Sequence, residues 1–254
     1  MKDRPLARAL RFVRPVPCSL VYPVMEHLVD ARIADQIPDT VLFLEHESVI
    51  TLGHRGRDQH LLLPRHELER LGIPVVHATR GGDVTYHGPG QLVVYPICKL
   101  GAAEADARNW LSNLEEAGIR LCAELGVPAW RVPGQTGVWT KKGKVAAIGV
   151  RFRRWVAHHG MSLNVRVSLD FTRWIVPCGL VGKPVTTLAV LLGETCPTLE
   201  TIADRLRIHL GETIGRNVEW GCPDPAMSEI LKPVAEWMAD PSSQAPPLDQ
   251  TAGR

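Results

Sequence analysis

The sequence predicts an α/β or α+β domain in which mixed sheets pack against helices. Three observations predict it. Segments with the three-and-four apolar rhythm of amphipathic helices are interspersed with short β-type runs, most of those runs are bounded by Gly or Pro, and composition does not shift before a polar C-terminal tail. The alternation is not regular enough for strict βαβ winding. At 254 residues, 45% of them hydrophobic, the chain can bury a substantial core, and residues 1–239 read as one domain.

The elements follow in order. Tyr22 to Ala34 has apolar residues at helical spacing. Thr40 to His46 and Ser48 to Leu52 are β-type runs, and the apolar stretch Val41 to Leu44 is strand-sized. Ile73 to Ala78 is a third run and Gln91 to Ile97, which contains Leu92 to Val94, a fourth. Trp110, Leu111, Leu114, Ala117, Leu121, Cys122 and Leu125 mark a second helix, stopped at Gly126 near Pro128. Gly137 to Thr140, Lys144 to Phe152 and Gly160 to Val165 are further runs. Leu199, Ile202, Leu206, Leu210 and Ile214 define a last helix, with Thr198 placed to cap it. From Asp240 to Arg254 the chain is polar and proline-rich, which predicts a disordered tail.

Composition excludes several function classes. The 29 Lys and Arg against 27 Asp and Glu leave a formal charge of +2, so no broad basic field draws the protein to nucleic acid or an anionic membrane. No apolar stretch approaches the roughly 20 residues of a membrane-spanning helix. The six cysteines are sparse and form no CxxC pair, so they read as free thiols of a reducing compartment, with Cys18, Cys98 and Cys122 as inert core residues. Met1-Lys2-Asp3-Arg4-Pro5 leads to no apolar signal region, and a cytoplasmic protein is expected. The ten histidines show neither HxxxH nor HExxH spacing, so no metal is expected.

Four segments concentrate reactive or ligand-binding residue types. Arg80-Gly81-Gly82-Asp83-Val84-Thr85-Tyr86-His87-Gly88-Pro89-Gly90-Gln91 lies between two predicted strands, and its glycines let backbone N–H groups approach a ligand; a merely solvated β-connection is the alternative. In Gly143-Lys144-Val145-Ala146-Ala147-Ile148-Gly149-Val150, Lys144 is either a snorkelling surface residue or, if turned inward, an acid–base group. His158-His159-Gly160-Met161-Ser162-Leu163-Asn164 follows the basic stretch Arg151-Phe152-Arg153-Arg154-Trp155, whose arginines are either a solvated face or a docking surface for an acidic protein. In Ile175-Val176-Pro177-Cys178-Gly179, the flanking Pro and Gly fix the backbone and leave the thiol accessible, as a nucleophile requires. Gly182-Lys183-Pro184 is not a phosphate-binding loop, because a Pro stands where Ser or Thr belongs.

Taken in order, these four segments resemble the lipoyl(octanoyl) transferase family over roughly Phe43 to Leu188. The resemblance implies a fold like the catalytic domains of biotin and lipoate protein ligases. It implies transfer of an octanoyl group from octanoyl-acyl carrier protein to a lysine of lipoyl domains, those of 2-oxoacid dehydrogenase complexes and the glycine cleavage H protein. By this resemblance Cys178 is the acyl-thioester nucleophile, and Lys144 holds it as thiolate. An ammonium about 4 Å from a thiolate at an effective dielectric near 20 contributes roughly 4 kcal/mol. The loop Arg80, Gly81, Gly82, Asp83, Val84, Thr85, Tyr86 and His87, the strand residues Ala147, Ile148 and Gly149, and the turn Gly160, Met161 and Ser162 match the stretches that line the acyl substrate. Asp83 occupies a variable position, and Ser162 stands where Ala is common. A thioester already carries the activation, so no cofactor, ATP or metal is required, and nothing requires more than a monomer. An ATP-dependent lipoate ligase on the same fold would not need Cys178. A non-catalytic acyl-binding protein would leave Lys144 and Cys178 idle, and a cysteine hydrolase lacks an assignable His-Asn or His-Asp relay.

Overall fold

The computed structural model describes residues 4–179 and 182–240. Its elements run β1 (Leu6–Arg11), α1 (Cys18–Ile33), β2 (Asp39–Leu44), β3 (Val49–Leu52), α2 (Arg65–Arg70), β4 (Val75–His77), β5 (Val84–His87) and β6 (Gln91–Lys99). They continue with α3 (Ala107–Glu124), β7 (Ala129–Val132), β8 (Gln135–Thr140), β9 (Gly143–Arg153), β10 (Val156–Asn164), α4 (Leu188–Leu192), α5 (Leu199–Ile214), β11 (Asn217–Trp220) and α6 (Pro225–Ala239). Among the described residues eight strands form one sheet, in the order β11-β1-β2-β6-β10-β9-β8-β7. A smaller sheet has the order β4-β3-β5. The parallel pair β1 and β2 is joined through α1, and β6, β10, β9, β8 and β7 are antiparallel to their neighbours. The sheets are therefore mixed, as expected.

Both faces of the large sheet are covered. Along β2, Val41 and Phe43 pack with Leu114, Leu121 and Leu206 of α3 and α5, while Leu42 and Leu44 pack with Met25, Leu28 and Val29 of α1 and Leu231 of α6. The period of two sends alternate residues to opposite layers, which explains why Val41 to Leu44 is apolar without interruption instead of alternating with polar residues. The small sheet has its own core, where Ile50, Leu52 and Val84 meet Phe171 and Ile175. No described helix is long and apolar enough to cross a membrane.

Several expectations are corrected here. The first helix begins at Cys18, not Tyr22, and holds Pro23 inside it, a residue with no N–H to give to the carbonyl four positions back. Val84 to His87 is a strand within the predicted loop, because it pairs with β3 in the register Ile50 with Tyr86. Gly160, Met161 and Ser162 lie inside β10, not in a turn; the turn is at Arg154 and Trp155, whose φ values are 49° and 58°. The histidines His158 and His159 are likewise buried strand residues. Strands β1, β7 and β11 and helices α2, α4 and α6 had no counterpart among the expected elements. Of the predicted tail, residues 241–254 lie outside the described residues.

Candidate active site

Lys144 is the second residue of β9, opposite Trp139 in the β8 hairpin. Its backbone also faces outward to a second partner: Lys144 N–H donates to the Pro184 carbonyl at 2.9 Å, and Thr186 N–H donates to the Lys144 carbonyl at 2.9 Å. That parallel bridge brings the segment around Pro177-Cys178-Gly179 to the head of β9. The Lys144 stem runs over Gly137, where an added Cβ would lie 2.5 Å from the Ala146 carbonyl oxygen and collide with the Lys144 Cε. Only 5% of Lys144 remains exposed, and its ammonium sits 5.6 Å from the centre of the Trp139 ring. The inward reading of this lysine is the one the fold adopts.

The Lys144 Nζ lies 3.3 Å from the Cys178 Sγ. Cys178 has φ 58° and ψ 18°, a left-handed conformation that costs a non-glycine residue of the order of 1–3 kcal/mol and has to be held by its surroundings. The restraints are visible. Val176 N–H donates to the His60 carbonyl at 2.8 Å, and Gly179 N–H to the Val176 carbonyl at 3.0 Å. His60 Nδ1 pairs with Asp83 Oδ2 at 2.7 Å, and this pair presses on Gly179, where a Cβ would fall 2.5 Å from Asp83 Oδ2. Cys18, Cys98 and Cys122 are buried, and burial pushes the Cys18 and Cys122 thiols up to about 12 and Cys98 well above its ordinary value. Those three thiols stay protonated and inert, as expected.

Lys144 and Cys178 open into a cleft of about 920 Å³. Residues 80–83, 147–149 and 160–162 line it, together with Thr85 and His87. Val84 and Tyr86, expected with them, do not: alternation along β5 turns both into the core of the small sheet, where Tyr86 stacks on Phe171 at 4.9 Å between ring centres and borders a small cavity of about 30 Å³ that Lys144 and Cys178 also line. Arg80 is buried, with Nε on Thr51 Oγ1 at 3.2 Å and Nη2 on the Thr51 carbonyl at 2.7 Å. No described carboxylate pairs with it, so its positive charge is left facing the cleft.

Other wall residues were not expected. Arg55, Arg57 and His60 reach the cleft from the loop after β3, and the neighbouring Gly53 and Gly56 were the only sequence signal for a bend there. Tyr95 comes from a strand whose apolar character hid it, and His159 belongs to a segment singled out in the sequence without a role for its ring. Burial leads the causes that hold His159 well below the ordinary histidine range. His46 lies just behind, its Nδ1–H on the Val16 carbonyl at 2.9 Å and its Nε2 accepting the Tyr95 hydroxyl at 2.9 Å, and burial brings it to about 4. Ile148, Met161 and Val93 supply the apolar part of the wall. The arrangement combines a thiol with an adjacent ammonium, a partly apolar slot and a cationic wall, a set suited to acyl transfer through a thioester.

The chain is also similar to known octanoyltransferases and lipoate ligases. The lipoyl protein ligase A/B catalytic domain matches residues 21–210. The chain belongs to this family. Among curated members, an octanoyltransferase of Geobacter metallireducens is 48% identical over 194 residues, covering 75% of this chain and 88% of its own. One from Caldicellulosiruptor saccharolyticus is 44% identical over 211 residues, covering 82% and 89%. The family fold is equally clear: a bi-partite lipoate protein ligase from Thermoplasma acidophilum superposes with a TM-score of 0.74 over 99% of this chain and 97% of its own, at 13% identity.

Proposed function

We propose that this chain is an octanoyltransferase, moving an octanoyl group from octanoyl-acyl carrier protein to a lysine of lipoyl domains through an acyl-thioester on Cys178. The observation that carries the reading is the 3.3 Å contact between Lys144 Nζ and Cys178 Sγ at the head of the cleft. The octanoyltransferases to which the chain is 44–48% identical support the same substrate chemistry.

In the first half-reaction the Lys144 ammonium stabilises the Cys178 thiolate, which attacks the thioester carbonyl carbon. The tetrahedral intermediate collapses, the bond to the carrier's sulfur breaks, and the Lys144 ammonium gives its proton to that departing thiolate. Lys144, now neutral, takes a proton from the target lysine as its amine attacks the Cys178 acyl-enzyme. Collapse forms the amide and returns Cys178 to thiolate beside the Lys144 ammonium. Donor and acceptor therefore use the site in turn, a ping-pong scheme. The acyl chain lies along the slot of Ile148, Met161 and Val93, gaining about 0.8 kcal/mol per buried methylene. We assign the protein to the cytoplasm as a monomer, with the acyl carrier and the lipoyl domain as its partners.

The deciding experiment incubates the protein with octanoyl-acyl carrier protein alone and measures its intact mass. An octanoyl adduct that maps to Cys178 and disappears when a lipoyl domain is added is expected. Transfer at the original rate by Cys178→Ser overturns the intermediate. Product formed from free octanoate and ATP without carrier would instead favour a ligase.

A further inference from the structure

Behind the cleft, a chain of buried side-chain amides fixes the protonation of one wall residue. Two backbone carbonyls, which can only accept, set its direction. The Thr186 carbonyl takes a hydrogen bond from Asn164 Nδ2 at 3.1 Å, and the Tyr86 carbonyl takes one from Gln91 Nε2 at 3.2 Å. Asn164 must then present Oδ1 to its neighbour, and Gln91 Nε2 donates its second hydrogen there at 3.0 Å. That leaves Gln91 Oε1 facing His87 Nδ1 at 2.7 Å, so Nδ1 has to be the donor. Gln91 and Asn164 are 2% and 7% exposed, so bulk water does not reach the amides, and the cavity of about 30 Å³ beside them is of the size of a single water molecule; their protein partners set the direction of the chain.

We propose that Gln91 and Asn164 are positioning residues that lock His87 in its Nδ1–H tautomer, so that a bare Nε2 faces the cleft as an acceptor for an N–H group of the substrate. His87 lines the cleft, and no hydrogen bond among the described residues reaches its Nε2. Burial first, then the electrostatic effect of neighbouring His46 and Arg80, brings the His87 ring down to about 3, so it carries one proton at neutral pH, and the amide chain places that proton on Nδ1. Arg55, Arg57 and Arg80 of the cleft wall can only donate, and His87 adds an acceptor beside them.

The identity of the N–H group rests on the octanoyl-transfer reading: it belongs either to a secondary amide of the carrier's pantetheine arm or to the amine of the target lysine. The two half-reactions separate these sources. The tautomer itself is tested independently of that reading, by long-range proton–nitrogen correlation NMR on protein labelled with 15N-histidine, with His87 assigned by its loss in His87→Asn. Wild type is expected to show a protonated Nδ1 and a bare Nε2, whereas Gln91→Leu and Asn164→Leu move the proton partly or wholly to Nε2. In the same variants, KM rises about tenfold for one substrate and is unchanged for the other, the loss expected of one hydrogen bond. A rise in the acylation step assigns the contact to the carrier's arm, and a rise in aminolysis assigns it to the lysine. A wild-type His87 protonated on Nε2 overturns the proposal, as do folded variants with an unchanged tautomer or with both KM values unchanged. If Gln91→Leu fails to fold, the wild-type spectrum and Asn164→Leu decide.

Discussion

Lys144 is a buried cation whose nearest chemical partner is a thiol, and burial is what makes that contact matter. A lysine in water would be screened from the sulfur; with 5% exposure the ammonium acts on Cys178 at short range. Replacing Lys144 with Met keeps the stem and removes the charge. Alkylation of Cys178 by iodoacetamide at pH 7, followed by peptide mass spectrometry, is expected to slow at least tenfold in Lys144→Met, and an unchanged rate would remove the lysine from the mechanism. The buried histidines make a second prediction. His46, lowered to about 4 by burial, binds no proton in the folded state where the unfolded chain, near 6.5, already does. Stability from this residue is therefore complete above pH 7 and lost as pH falls, by about 2 kcal/mol at pH 5, and His87 adds to it in the same direction. Urea unfolding at pH 7 and pH 5 measures this, and equal midpoints would contradict it.

Single residues work only because elements hold them. The β8–β9 hairpin aims Lys144, and Gly137 at φ 131° leaves room for its stem. Gly137→Ala is expected to displace the lysine, lowering Cys178 alkylation and octanoyl transfer together by at least tenfold while the protein stays folded; normal alkylation would show that the glycine has no such role. On the distant helix α5, Thr198 Oγ1 accepts the Thr201 N–H at 3.2 Å, so Thr198→Ala should lower stability by about 1 kcal/mol without affecting transfer. This cap, the periodicity of α3 and α5, and most strand runs were legible in the sequence, since each depends on spacing within one segment. Strand β5 was not: its four residues sit among glycines and become a strand only by pairing with β3. Strand β10 was legible only from Gly160 onward; its first half, Val156 to His159, was not expected as strand.

Across the whole molecule, Asp39 joins parts of the chain that are far apart in sequence. Its carboxylate accepts Arg216 Nε at 2.6 Å, Arg32 Nε at 2.7 Å and the Lys99 N–H at 2.9 Å, and Arg216 is held in turn by Glu104 at 2.6 Å. Asp39 and Arg216 are only 4% and 3% exposed, so Asp39→Ala strands buried guanidinium charge and is expected to cost about 3–5 kcal/mol in urea unfolding. Because Asp39 lies outside the cleft, kcat per folded molecule should be retained; a loss of kcat in folded protein would indicate coupling between this network and the site. By itself the sequence determined the residue types of the chemistry, a thiol in a Pro-Cys-Gly turn, a lysine heading a small-residue strand and a glycine-rich segment, because the resemblance and the local periodicity rest on order along the chain. Only the tertiary structure decided that Lys144 points inward and that Val84 and Tyr86 turn away from the cleft. It alone decided that Gln91 and Asn164 set a proton on His87. Direction, distance and tautomer depend on which segments pack against one another, and that packing joins Lys144 to Cys178 across 34 positions and Gln91 to Asn164 across 73, which no local pattern records.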